Sequence, residues 1–203
     1  DFLVRCGMRP WAHNLEQSWF QIYDSIFVGT QYHKDLILKS HAVDPEKITV
    51  TGLPFYAEEL AKYRTEKDKN LIVFPHRLDP EKQPQEFYSL EMMLKAAHPW
   101  SRWVKSAEVS KTKEDYYKLL SKASVAVSFS LQETFGIAML EAATLGCITI
   151  VPDRLSYIEL YPEELRYRTV SELVEKTHRA LGEPESYNRP MSELRATINE
   201  MSQ

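Results

Sequence analysis

Two carboxylates eight residues apart bracket a short aromatic and glycine turn in Glu133-Thr134-Phe135-Gly136-Ile137-Ala138-Met139-Leu140-Glu141. The run before it, Ser124-Val125-Ala126-Val127-Ser128-Phe129-Ser130, reads as a buried strand. The run after it, 135–145, is apolar on nearly every side and ends at Gly146, a helix stop. A strand, a loop and a helix N-terminus in succession form the place where open α/β sheets bind nucleotides and phosphates. Glu141 then falls inside an apolar helix, where a carboxylate needs a hydrogen-bonded partner or an opening onto a ligand. It reads either as half of a buried ion pair or helix edge, or as part of a ligand site. The spacing with Glu133 and the bare amides around Gly136 favour the ligand site.

A second polar cluster follows a second apolar run. Leu71-Ile72-Val73-Phe74-Pro75-His76 reads as a strand, and Arg77-Leu78-Asp79-Pro80-Glu81-Lys82 as the polar loop behind it. Arg77 and Lys82 are either ordinary surface charges or cations aimed at an anion. Their place directly behind a buried strand favours the anion. His76 at a strand end reads as a satisfied structural residue, and His33 as a helix-surface residue. Trp100 and Trp103 read as packing residues rather than base-stacking ones.

The rest of the chain alternates between the two periodicities. Residues 11–24 read as a helix, 26–28 as a strand, 32–38 as a helix and 48–50 as a strand. The charged stretch 57–70, with Glu66-Lys67-Asp68-Lys69, reads as a solvated connector. Beyond it come a strand at 71–76, helices near 85–97 and 113–122, and the strand, helix and strand around Glu133, closed by 148–151. Leu173, Val174, Thr177, Ala180 and Leu181 line one helix face; Leu194, Ile198 and Met201 line another. Such alternation predicts an α/β fold with a parallel sheet covered on both faces.

Bulk properties narrow the function classes. The 203 residues fit one or two domains, and 43% hydrophobic content is ample for a core. No run of 18 apolar residues and no leader pattern is visible, so no membrane partner and a cytoplasmic address are expected. Cys6 and Cys147 lie far apart without ligand spacing, so neither a disulfide framework nor a metal site is expected. A net charge of −4 counts against tight non-specific binding of nucleic acid.

The segment 133–141 resembles the E-x7-E signature of retaining glycosyltransferases with the GT-B fold, the group of glycogen-synthase-like and sucrose-synthase-like enzymes. Residues 71–82 are similar to that group's strand and "GRL-x-x-EKG" loop. The match narrows at Gly146-Cys147, at 152–162 (Pro-Asp-Arg-Leu-Ser-Tyr-Ile-Glu-Leu-Tyr-Pro), and at "PHR" 75–77, "WA…E" 11–16 and "TGLP" 51–54. There it resembles the queuosine-tRNA mannosyltransferase-like branch.

That resemblance implies two Rossmann-like halves. Residues 1–56 would be the closing part of the acceptor half, 57–70 a linker, and 71–184 the nucleotide-sugar-binding half. Residues 185–203 would be a terminal helix packing back on the first half. The stretch between Lys82 and Glu133 is short for the family, so the second sheet is expected to be narrower. The resemblance further implies a metal-independent, retaining transfer from a nucleotide-diphosphate sugar, GDP- or UDP-linked, to an acceptor hydroxyl, with no cofactor. Arg77 and Lys82 would pair with the diphosphate. Glu141 would take the ribose hydroxyls, Glu133 the sugar ring, and the amides of Phe135, Gly136 and Ile137 the sugar or phosphate. His13 would face the acceptor, and Tyr157 and Glu159 a substrate loop. The family's usual account has no protein nucleophile: the leaving phosphate helps deprotonate the acceptor. In the branch the acceptor is queuosine in tRNA; another base, a glycan or a small molecule is the alternative acceptor. A non-catalytic or truncated nucleotide-sugar-binding module is the alternative function, because the first half opens late and donor binding is expected to exceed turnover.

Overall fold

The computed structural model describes residues 18–52 and 55–201. The chain divides after residue 53 into two compact units. His13, Cys6, the segment 11–16, and Leu53 and Pro54 of the "TGLP" segment lie outside the described residues.

In the first unit, residues 18–22 are helical. Strands β1 (Ile26–Val28) and β2 (Ile48–Val50) pair in parallel, Ile26 opposite Ile48. Helix α1 (Gln31–Leu38) connects them, as a parallel pair requires. Thr30 starts it: its backbone is extended and its hydroxyl accepts the His33 amide at 3.1 Å. Lys34 then reaches across to donate to the Ile48 carbonyl at 2.7 Å.

The second unit holds a five-stranded sheet, ordered β4 (Arg102–Lys105), β3 (Asp68–Phe74), β5 (Ala123–Val127), β6 (Ile148–Pro152) and β7 (Arg166–Tyr167). Every pairing is parallel. Its helices are α2 (Ala57–Leu60), α3 (Pro84–Leu94), α4 (Ser106–Val109), α5 (Lys113–Lys122), α6 (Ile137–Thr144), α7 (Tyr157–Leu160), α8 (Val170–Gly182) and α9 (Asn188–Met201). The apolar runs of β3, β5 and β6 are buried on both faces, the pattern of a parallel sheet clad in helices. Counted from β3, the order across the sheet is 2-1-3-4-5. Its direction of winding reverses between β3 and β5, and ligands bind beyond the carboxyl ends of strands at such a point. The loops leaving those two ends are 75–83 and 128–136.

Local chemistry sets the helix bounds. A capping box at Thr112 and Asp115 opens α5. Helix α6 closes with Gly146 at φ +92°, its amide on Ala143 and that of Cys147 on Ala142, a Schellman arrangement.

Two expectations are revised. The stretch 57–70 is not a solvated connector: Ala57 and Leu60 are buried in α2, and β3 already begins at Asp68. Lys67 turns inward, its ammonium donating to the Leu120 and Ala123 carbonyls at 3.1 and 2.8 Å, where Cys147 Sγ also donates. Charge pattern alone reads such a lysine as solvated, although its stem and donors suit the end of a helix. Strand β4 occupies the short junction after α3, where the sequence suggested no strand. As an edge strand it is only half-buried and shows no continuous apolar run. The terminal helix α9 buries Met191, Leu194 and Ile198 and packs on α6 of its own unit.

Candidate donor site

The two loops at the reversal point meet side by side. Lys82 closes a short turn after β3 and reaches the β5 loop, donating to the Gln132 carbonyl at 2.6 Å and to Glu133 Oε2 at 3.1 Å. Both side chains are mostly shielded, at 12% and 17% exposure. The backbone adds a second stitch, the Leu131 amide donating to the Glu81 carbonyl at 2.8 Å. Arg77 is not drawn in. Its side chain is 77% exposed at the loop's outer edge, where it pairs with Asp79 at 2.8 Å and Glu81 at 3.5 Å.

Gly136 makes the turn into α6 at φ +90°, and no side chain caps the helix there. A Cβ at this position would sit 2.9 Å from Tyr157 Cε1, so the glycine is required by space as well as by conformation. Phe135 is buried behind the turn, and Ile137 is exposed on its outer side. An uncapped helix N-terminus of this kind suits an anion.

Glu141 lies one turn into α6 and is 5% exposed. Its Oε1 accepts from the Lys113 ammonium at 2.8 Å and from the Tyr117 hydroxyl at 2.9 Å, both on α5. Burial and this carboxylate raise the pKa of Tyr117, and of Tyr116 beside it. The Lys113 ammonium caps both tyrosine rings, 4.6 and 4.7 Å from their centroids. Glu141 also lines an open depression of ≈ 230 Å³ with Tyr56, Glu59, Lys62, Tyr63 and Tyr117. The two readings of Glu141 thus coincide in place: it is a buried carboxylate, paired with the exposed Lys113, beside an opening. Lys113 and Tyr117 escaped the sequence reading. Their spacing of four on a capped helix puts them on one face, but nothing local points that face at Glu141.

Beneath both loops lies a buried polar cluster. Ser128 Oγ stands 2.9 Å from His76 Nε2, 3.0 Å from the Tyr157 hydroxyl and 3.1 Å from Ser130 Oγ. The Tyr167 hydroxyl donates to the Ser128 carbonyl at 2.9 Å, and Arg154 donates to the Phe129 and Ser130 carbonyls at 3.0 Å. Burial, then the charge of Lys82, pushes the His76 pKa down to about 3, so its imidazole is neutral. Tyr157 is held from ionising by burial and then by Glu133. Glu159 lies on the exposed side of α7. Trp103 packs edge-on against Phe87 at 5.2 Å, and Trp100 against His98 at 5.6 Å. Among the described residues, no three metal-ligating side chains gather into a cluster, and no helix is long and apolar enough to cross a membrane.

Comparison with known proteins places the fold. No protein-family model matches the chain. Over 87 residues, 43% of the chain, it is 34% identical to a tRNA-queuosine alpha-mannosyltransferase of Drosophila melanogaster, of which this covers 23%. Among solved structures it superposes on S. aureus TarM, in a complex with fondaparinux, alpha-GlcNAc-glycerol and UDP, with a TM-score of 0.74. That match has 12% identity and covers 97% of this chain and 45% of TarM. A UDP-forming alpha,alpha-trehalose-phosphate synthase of Burkholderia xenovorans matches with a TM-score of 0.73 and 15% identity, over 96% of this chain and 61% of that one. Anabaena HepE, with UDP and glucose, matches with a TM-score of 0.68 and 13% identity, over 89% of this chain and 59% of that one. The chain has the fold of the GT-B glycosyltransferases, of whose solved chains it spans about half.

Proposed function

We propose that the chain supplies the donor site of a retaining, metal-independent glycosyltransferase, which moves a sugar from a nucleoside-diphosphate sugar to an acceptor hydroxyl. The observation that carries this reading is the meeting of Lys82 with Glu133 at the reversal point of the sheet, beside the uncapped start of α6. Sugar transfer leaves negative charge on the diphosphate as the glycosidic bond breaks. Lys82, Arg77 and the helix N-terminus are the groups that compensate it. Lys82 would exchange Glu133 for phosphate, and Arg77, free to swing, would exchange Asp79. Glu133 would then face the sugar and Glu141 the ribose hydroxyls, while Lys113 and Tyr117 keep the Glu141 carboxylate in place. A carboxylate accepts at about four positions, so ribose and the α5 partners need not compete. No side chain is assigned as a nucleophile; the leaving phosphate takes part in deprotonating the acceptor.

The partial likeness to the queuosine-tRNA enzyme supports mannose as the sugar and queuosine in tRNA as acceptor, and the sequence resemblance implies GDP as the carrier of that mannose. The net charge of −4 argues that any tRNA would be held by a local patch and not by bulk attraction.

Thermal shift in EDTA with GDP, UDP and ADP and their sugars tests donor binding and base choice together. A nucleotide at 100 times its dissociation constant should stabilise the chain by about 2.7 kcal/mol. No shift with any of them would remove the donor-site reading; a shift that appears only with magnesium would remove metal independence.

A further inference from the structure

We infer that Ser128 is a positioning residue which, through Tyr157 and His76, holds the two donor loops in register. The inference rests on the donor-site reading above. A serine hydroxyl has one proton to give and two lone pairs to receive, and Ser128 Oγ has three side-chain partners within 3.1 Å. Its capacity is filled, and Ser128, Ser130 and Tyr157 are fully buried. Each partner leads somewhere definite. His76 immediately precedes Arg77 and opens the loop that ends at Lys82. Tyr157 is the floor of the other loop: its ring blocks a side chain at Gly136, and Glu133 Cγ lies 3.6 Å from the same blocked point. The hydroxyl of Ser128 therefore joins, from below, two loops that the Glu81, Leu131 and Lys82 contacts join from above.

The link is also electrically quiet. His76 is neutral, so it adds no charge to a site that must receive a diphosphate on Lys82. Removing the Ser128 hydroxyl leaves His76, Ser130 and Tyr157 short of a partner, and their relaxation shifts the two loops, in which His76 and Ser130 lie and against which Tyr157 packs. Tyr157→Phe is the gentler change. It keeps the ring against Gly136 and removes only the tie.

The test is calorimetric titration of GDP and UDP into the wild type, Ser128→Ala, Tyr157→Phe, and each of these combined with Lys82→Ala. Each hub variant should keep a native circular dichroism spectrum and bind the preferred nucleotide roughly three- to tenfold more weakly. On the Lys82→Ala background neither should weaken binding further, because the hub acts through the placement of that lysine. Ser128→Thr, which retains a hydroxyl, should restore most of the affinity. Variants that bind like the wild type, or that lose affinity equally with and without Lys82, would overturn the inference. If Ser128→Ala does not fold, Tyr157→Phe decides alone. A wild type that binds neither GDP nor UDP overturns the donor site and the hub together, whereas unaffected variants of a binding wild type overturn only the hub.

Discussion

Lys82 has one ammonium and two claims on it. In the structure it neutralises Glu133, and in the proposed donor site the diphosphate would want it too. On that proposal each group masks the other, and donor binding would have to break a largely shielded ion pair. Glu133→Gln should consequently raise affinity for a nucleoside diphosphate, by about fivefold for a pair worth ~1 kcal/mol, while lowering sugar transfer. Calorimetry on the variant checks this; weaker binding would show that Glu133 holds Lys82 in its working position. Glu141 differs in kind. Its two α5 partners stay with it, so its carboxylate is fixed before any ligand arrives.

At the scale of the elements, the turn into α6 is the most constrained piece of backbone. Gly136→Ala adds a methyl 2.9 Å from the Tyr157 ring and forces φ +90° on a residue that disfavours it. A loss of about 1–3 kcal/mol is expected from chemical denaturation, larger than for Gly182→Ala, whose Cβ would meet nothing within 4 Å. In the second unit, the strands that sequence reading located, β3, β5 and β6, are those buried on both faces, because a continuous apolar run is a local signal. Strand β4 was missed because an edge strand carries half that signal. The inward turn of Lys67 was missed because its acceptors sit at the end of α5, 53 and 56 positions away. The same limit shaped the site. Glu133, Gly136, Glu141, Arg77 and Lys82 were legible as two local patterns, whereas Ser128 as a hub was not, since its ties to His76 and Tyr157 span 52 and 29 positions.

Across the whole molecule, the buried His76 makes stability depend on pH. Its pKa falls from the ordinary 6.5 to about 3 on folding. Between those values the unfolded chain binds a proton that the folded chain refuses, so stability is complete above pH 6.5 and is lost as pH falls toward 3. The slope from this residue is at most ~1.4 kcal/mol per pH unit. Urea unfolding at pH 7.5, 6 and 5 should show a decline in the wild type that is shallower in His76→Gln. Equal slopes would show that His76 is not the group responsible.

Strands β3 and β5 are neighbours in the interior of the sheet, and Lys82 and Glu133 hang from the loops of the two strands, 51 positions apart. The site thus has no local existence: neither loop, cut out with its own strand, carries half of a working pocket. It comes into being when the middle of the sheet closes and vanishes when the middle opens. A nucleotide that bridges the two loops acts as a splint across that line, and the binding energy it contributes resists opening of the whole unit instead of ordering a single loop.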